Sequence, residues 1–259
     1  ARSQAQAYVK QTYGFGTSWT FGQFDTIYGF ELNDTKDVQF TSQGIVFAIM
    51  PVTHTGLLVS HTIGAIGVNL LLSNADGMAY QQSSRSSEMG LRVGWSNDKY
   101  NVGAGTLLQG YDASSTYVSA EKKSAQQLMD VTAGASFGPV TVNLAYDYIA
   151  NATGEKKISA TEDRKAVTGL LLQAAYKITD KEEIALRYET VTGDIAADGM
   201  TNFVHDNEGG KTKITVGGRA KMTEDLTVKA DLSSNVLKFK DTYTNASFID
   251  GAIAAVYKF

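Results

Sequence analysis

His54, His61, His205 and a set of 27 Asp and Glu residues are the side chains whose types suggest acid–base or metal chemistry. A histidine base needs a partner within hydrogen-bond reach, and no nucleophile motif accompanies any of the three. With no cysteine and only three scattered histidines, no metal site can be assembled by spacing, and no cofactor motif is present. The acidic stretches Asn33–Asp37 and His205–Gly210 lack the ligand spacing of a helix-loop-helix calcium site and read as solvated loops. The expectation is therefore a protein that is not an enzyme.

The more informative charges are those that recur at every second position. On their strands' polar parity stand six basic residues, Arg92, Arg187, Lys213, Arg219, Lys221 and Lys229. Seven acidic residues share it: Glu88, Asp130, Asp147, Glu183, Glu189, Asp231 and Asp250. Their neighbours in sequence are apolar. Leu226, Val228, Ala230 and Leu232 alternate with Thr227, Lys229, Asp231 and Ser233; Val140, Val142, Leu144 and Tyr146 alternate with Thr141, Asn143, Ala145 and Asp147. Because successive strand side chains point to opposite faces, each such segment has one apolar and one polar face.

Twelve alternating segments are expected: Thr17–Ile27, His54–Ile63, Ile66–Leu72, Glu88–Ser96, Tyr100–Gly110, Leu128–Phe137, Val140–Ile149, Ala166–Ile178, Glu183–Thr192, Lys211–Met222, Leu226–Leu237 and Phe248–Phe259. Most have the 9 to 11 residues that a tilted membrane strand needs. Tight turns at Gly64-Ala65, Asn97–Lys99, Gly138-Pro139, Thr179–Lys181 and Thr223–Asp225 alternate with long connections at Tyr28–Val52, Asn74–Ser87, Gly110–Gln126, Ala150–Lys165, Thr190–Gly210 and Lys238–Ala246. A Greek-key sandwich gives no reason for such regularity, whereas a bacterial outer-membrane barrel has short periplasmic turns at one rim and long loops at the other. Closure also satisfies the strand edges that hydrocarbon cannot.

The expected fold is thus all-β, a single transmembrane antiparallel up-and-down barrel over residues 1–259. Twelve strands are expected if Gln6–Phe15 lies outside the spanning set, with residues 1–16 as a non-spanning segment, and fourteen if a further strand precedes it. The most apolar stretch, Ile45–Val52, is broken by Pro51 and is too short for a spanning helix. Residues 1–10 lack a basic region followed by an apolar core, so the chain is expected to be cytosolic or already processed, and the barrel pattern selects the second. A net charge of -4 with scattered Lys and Arg offers no footprint for nucleic acid.

The stretch from Phe21 to Gly56 resembles the OmpL-like beta-barrel porins. The resemblance lies in Gly22-Gln23-Phe24-Asp25-Thr26, Gly29-Phe30-Glu31, Pro51 and His54-Thr55-Gly56, after Gln6-Ala7-Tyr8-Val9; Ile27 stands where that family often has Pro. It implies a porin-like outer-membrane barrel. Expected partners are membrane lipid, the outer-membrane assembly machinery, which would read Tyr257 and Phe259 on the last strand, and further copies of the chain, through the His54–Leu72 hairpin. The six basic and seven acidic residues are expected to line a weakly selective pore for small hydrophilic solutes. The alternative is a non-conducting structural or lipid-associated barrel, favoured by the apolar residues Leu71, Ala252, Ala254 and Val256 on the inward parity. The segment Lys36–Met50 carries Val38, Phe40, Ile45, Val46, Phe47 and Ile49 and is too apolar to lie in water. It could fold into the mouth, pack on the rim, or meet a neighbouring subunit.

Overall fold

The computed structural model describes residues 6–34, 38–74, 87–109, 126–150, 166–193, 209–238 and 245–257. Thirteen antiparallel strands follow one another in a single sheet whose spatial order is the order of the chain. They are β1 (Ala7–Thr12), β2 (Thr17–Asp25), β3 (Thr53–Ile63), β4 (Ile66–Asn74), β5 (Ser87–Ser96), β6 (Tyr100–Gln109), β7 (Gln126–Phe137), β8 (Val140–Ala150), β9 (Val167–Lys177), β10 (Glu182–Gly193), β11 (Gly209–Lys221), β12 (Leu226–Lys238) and β13 (Ala246–Tyr257). All twelve expected strands are present, with ends that move by at most two residues.

The structure adds β1 to that set. The segment expected to lie outside the spanning strands pairs in register with β2, Val9 opposite Phe21 and Lys10 opposite Thr20. Its alternation continues that of β2, so Lys10 falls on the inward face with Thr20. With thirteen strands, β1 and β13 run in the same direction, and no pairing joins them among the described residues. Even-numbered antiparallel closure would place one more strand between these two edges.

Outward positions are apolar and exposed, as lipid contact requires: Leu70 and Leu72 on β4, Met89 and Leu91 on β5, Ile184 and Leu186 on β10. At the tight-turn rim the outward residues become aromatic, with Trp95, Tyr100, Phe137, Tyr176 and Tyr257. Tyr100 and Phe137 meet edge to face at 5.9 Å. This is the interfacial belt of a membrane barrel. The turns themselves are conventional, since Gly64 and Gly138 take the positive φ that tight hairpins need (59° and 57°).

The core lies inside the sheet, not between layers. Inward Leu71, Leu107, Leu128, Ala145, Ile149, Val167, Leu171 and Val191 form one buried cluster with Tyr28, Ile45, Val46, Ile49 and Met50, which belong to the β2–β3 connection. The longest apolar connection therefore folds into the lumen, where its side chains find the cover that water denies them.

Side assignment has a direct check. Cysteine introduced at exposed Asn245, beside the long-loop end of β13, will react with a membrane-impermeant reagent on intact cells, whereas cysteine at Asp180 in the β9–β10 turn will not. Reaction at Asp180 alone inverts the topology.

Candidate functional site: the lumen and its inward-folded segment

The described residues of the β2–β3 connection, 26–34 and 38–52, lie in the lumen and reach the wall opposite β2 and β3. Its entry is held by His54, which is fully buried. His54 Nε2 lies 3.1 Å from Thr26 Oγ1 and Nδ1 lies 3.0 Å from Glu88 Oε2, while Ser73 Oγ donates to the same carboxylate at 2.8 Å. The residue weighed above as a catalytic base thus ties β3 to Thr26 at the entry of the segment and to Glu88 on β5. His61 lies on the outward face, bonded to Thr17 Oγ1 at 2.7 Å, and His205 lies outside the described residues.

Tyr28 comes next. Its hydroxyl donates to the Thr106 carbonyl at 2.9 Å and its ring meets His54 edge-on at 6.1 Å. Burial pushes the phenol up from its ordinary pKa, so it stays neutral and donates. The ring fits because β5 and β6 present glycines beneath it: a Cβ on Gly105 would lie 2.8 Å from Tyr28 Cε1, and one on Gly90 would collide with the hydroxyl. Farther along, a Cβ on Gly169 would lie 2.8 Å from Ile49 Cδ1, and one on Gly217 would lie 3.0 Å from Phe40 Cδ1. Glycine weakens a strand interior, and here it makes room for the incoming segment.

Charged groups fix the backbone of the segment. Gly29 N–H donates to Asp130 Oδ2 at 3.1 Å, and Asp130 is also ion-paired with Arg92, whose Nη2 donates to Thr132 at 2.7 Å. Arg187 is the centre of the far wall. It pairs with Glu31 of the segment at 2.5 Å and with Glu189 of its own strand at 3.0 Å, and its guanidinium lies 4.6 Å from the centre of the Phe40 ring. Glu31 in turn accepts from Gly44 N–H at 2.6 Å, and Glu189 accepts from Val46 N–H at 3.1 Å. Beyond them Asp231 accepts from Thr41 N–H at 2.7 Å, and the Lys229 ammonium donates to the Val38 and Phe40 carbonyls. Backbone groups that would otherwise be orphaned in the lumen are satisfied by these side chains.

All thirteen residues expected to line a pore fall on the inward face, but they divide in two. Glu88, Asp130, Asp147, Arg187, Glu189 and Lys229 are at most 2% exposed. They form the seat of the segment and no open pore surface, which corrects the expectation of an evenly charged lining. Strand parity assigns a face but does not report what covers that face. Arg92 is half-buried beside Asp130, and Asp147 stands across from Asp130 with neither carboxylate oxygen hydrogen-bonded among the described residues. Glu183 is paired with Arg219 at 3.2 Å near the tight-turn mouth. Lys213 and Asp231 are half-buried and Lys221 is exposed.

Glu31, Tyr28 and His54 were not among the expected site residues. The sequence signal that could have found them was the apolar run they flank, Lys36–Met50, which required a docking surface and hence fasteners. Of the expected assembly signal, Tyr257 ends β13 on the outward face and is 57% exposed, and Phe259 lies outside the described residues.

Comparison with solved structures places this architecture among outer-membrane barrels. OmpT of Vibrio cholerae superposes with a TM-score of 0.65 at 14% identity, over 97% of this chain and 80% of that one. The trimer form of in-vitro folded Vibrio cholerae OmpT gives 0.59 at 13% identity over 96% and 79%, and a porin refined at 1.8 Å gives 0.56 at 14% over 97% and 80%. At these identities the likeness is one of fold. A search of the curated proteins gave no match. The family model described as Putative beta-barrel porin-2, OmpL-like matches residues 3–259. With that match over nearly its whole length, a sheet of lipid-facing strands and a lumen narrowed by its own β2–β3 segment, the chain belongs to this family of outer-membrane porin-like barrels.

Proposed function

We propose that the protein is a constricted diffusion pore, passing small hydrophilic solutes through the part of the lumen that the inward segment leaves open. The observation that carries this is the unequal cover of the inward face. Toward the loop side the inward face of β4 to β10 is buried under the segment, whereas toward the tight turns and on the edge strands inward residues such as Lys221 on β11, Lys10 on β1 and Asp250 on β13 remain exposed. A hydrated polar strip alongside a packed plug is what a narrow aqueous path requires. Purified protein in planar bilayers will give discrete, low-conductance channels. Complete absence of conductance, both for the native chain and after shortening the segment, favours the non-conducting structural or lipid-associated barrel.

Homo-oligomerisation belongs to the same proposal, because the trimer form of Vibrio cholerae OmpT shares this fold. The β3–β4 hairpin offers Leu57, Val59, Ile63, Ile66, Val68, Leu70 and Leu72 outward as a contact surface. Leu70→Asp is predicted to convert the native oligomer in mild detergent to monomer or to lower its membrane insertion. A native particle that is already monomeric removes the oligomer from the account and leaves the pore.

A further inference from the structure

Where the segment does not reach, the inward face interleaves polar and apolar groups. Phe248 stands opposite buried Asn235, so Phe248, Asp250, Ala252, Ala254 and Val256 share the inward side of β13. Tyr8 stands opposite Gly22, between inward Thr20 and Phe24, so Tyr8, Lys10 and Thr12 share the inward side of β1. Both strands run from the long-loop side toward the tight turns. On each of them a ring therefore stands one inward position nearer the loops than an ionic group, Tyr8 before Lys10 and Phe248 before Asp250. The rings are 49% and 45% exposed, and Lys10 and Asp250 are exposed as well. The segment is fastened as far as β12, through Thr41 on Asp231 and the Val38 and Phe40 carbonyls on Lys229. The strip begins on the next strand.

This strip has no net sign among the described residues, since Lys10 and Asp250 contribute one charge each. Asp250 accepts from Asn235 Nδ2 at 3.1 Å. On neighbouring β11, Lys211 interacts with Asp250 and Glu189, and Lys213 interacts with Glu189, so those lysines are compensated too. A hydrated ion of either sign gains little from such a lining. Exposed rings, in turn, lose hydration free energy that a solute recovers by covering them. An uncharged solute with a flat apolar face and a hydroxylated edge satisfies both halves of the strip. Its C–H face covers a ring, while its hydroxyls bond the Lys10 ammonium, the Asp250 carboxylate and Thr12. We infer that the open path takes up neutral cyclic polyols, a pyranose monosaccharide being the type, on the Tyr8 and Phe248 rings. This rests on the diffusion-pore reading above and names the solute class for that pore.

The test is single-channel recording on the purified chain in planar bilayers, with glucose as the ring-shaped probe and glucitol as an open-chain polyol of similar size. Glucose should reduce the ion current saturably, and glucitol only in proportion to its viscosity. In channels formed by Tyr8→Ala/Phe248→Ala, half-maximal block should need roughly threefold more glucose or more. Phe248→Tyr, which keeps a ring, should keep most of the block. Should the double variant not insert, the two single alanine variants carry the same comparison. Across a tenfold KCl gradient the native current should reverse near zero, with potassium and chloride permeabilities within about twofold of each other. Equal effects of glucose and glucitol overturn the sugar site and leave the pore standing. A block that survives loss of the rings overturns its assignment to them, and reversal at either ion's equilibrium potential overturns the balanced lining. Absence of any channel in the native protein overturns the pore itself and the inference with it, so the two failures are told apart.

Discussion

Removal of Val38 to Met50 will raise single-channel conductance by a factor on the order of two or more, with the β-sheet content unchanged. Phe40, Ile45, Val46, Ile49 and Met50 are each no more than 5% exposed, so together they fill lumen that would otherwise hold water and ions. Their deletion uncovers Glu189, Arg187 and Lys229, which regain solvation in the widened path. The barrel wall does not depend on the segment, because strand-to-strand pairing from β2 to β13 is continuous without it. Unchanged conductance would place the segment outside the conduction path.

Arg187→Ala should have the next largest effect, through release of the segment. The guanidinium is fully buried between Glu31 and Glu189 and accounts for both ion pairs at 2.5 and 3.0 Å. Without it two buried carboxylates face one another unneutralised, a loss of about 3–5 kcal/mol for a broken buried pair. The segment can relieve that loss by leaving the lumen. Limited proteolysis in detergent will then cut between residues 38 and 50 at sites protected in the native chain, and conductance will approach that of the deletion. The triple change Arg187→Met, Glu31→Gln, Glu189→Gln removes the charges while keeping the amide oxygens that Gly44 and Val46 need, and should restore protection. Proteolysis of Arg187→Ala indistinguishable from native would mean that the apolar contacts alone hold the segment.

Strands were legible because the bilayer imposes a strict rule. Positions such as Leu226, Val228, Ala230 and Leu232 must be apolar to face lipid, and the alternation follows whatever the lumen contains. An even strand count argues Gln6–Phe15 out of a twelve-strand set although it alternates, and its place in the sheet shows only in its register with β2. Within the lumen, sequence pattern could say that Lys36–Met50 needed cover. It could not say where, because the partners are remote: Arg187 meets Glu31 from 156 positions away, and Lys229 meets Val38 from 191. Inward Leu71, which seemed to argue against a porin, belongs to the other half of that contact, whereas Ala252, Ala254 and Val256 on β13 are not buried by it. Parity likewise put Glu88 and Glu189 on the correct face while giving no hint that both would be under a plug.

The position of the segment can be tested by a disulfide trap, which the absence of native cysteine makes unambiguous. A Cβ built on Gly169 lies 3.1 Å from Val46 Cγ1, so sulfur at the Val46 branch and sulfur on a residue-169 Cβ are within bonding geometry. In Val46→Cys/Gly169→Cys, mild oxidation of the folded barrel should consume both thiols, and the bonded protein should keep the low native conductance until reductant is added. Two thiols that stay titratable under conditions that oxidise an exposed control pair would show that the segment does not rest on β9, and would contradict an inward plug.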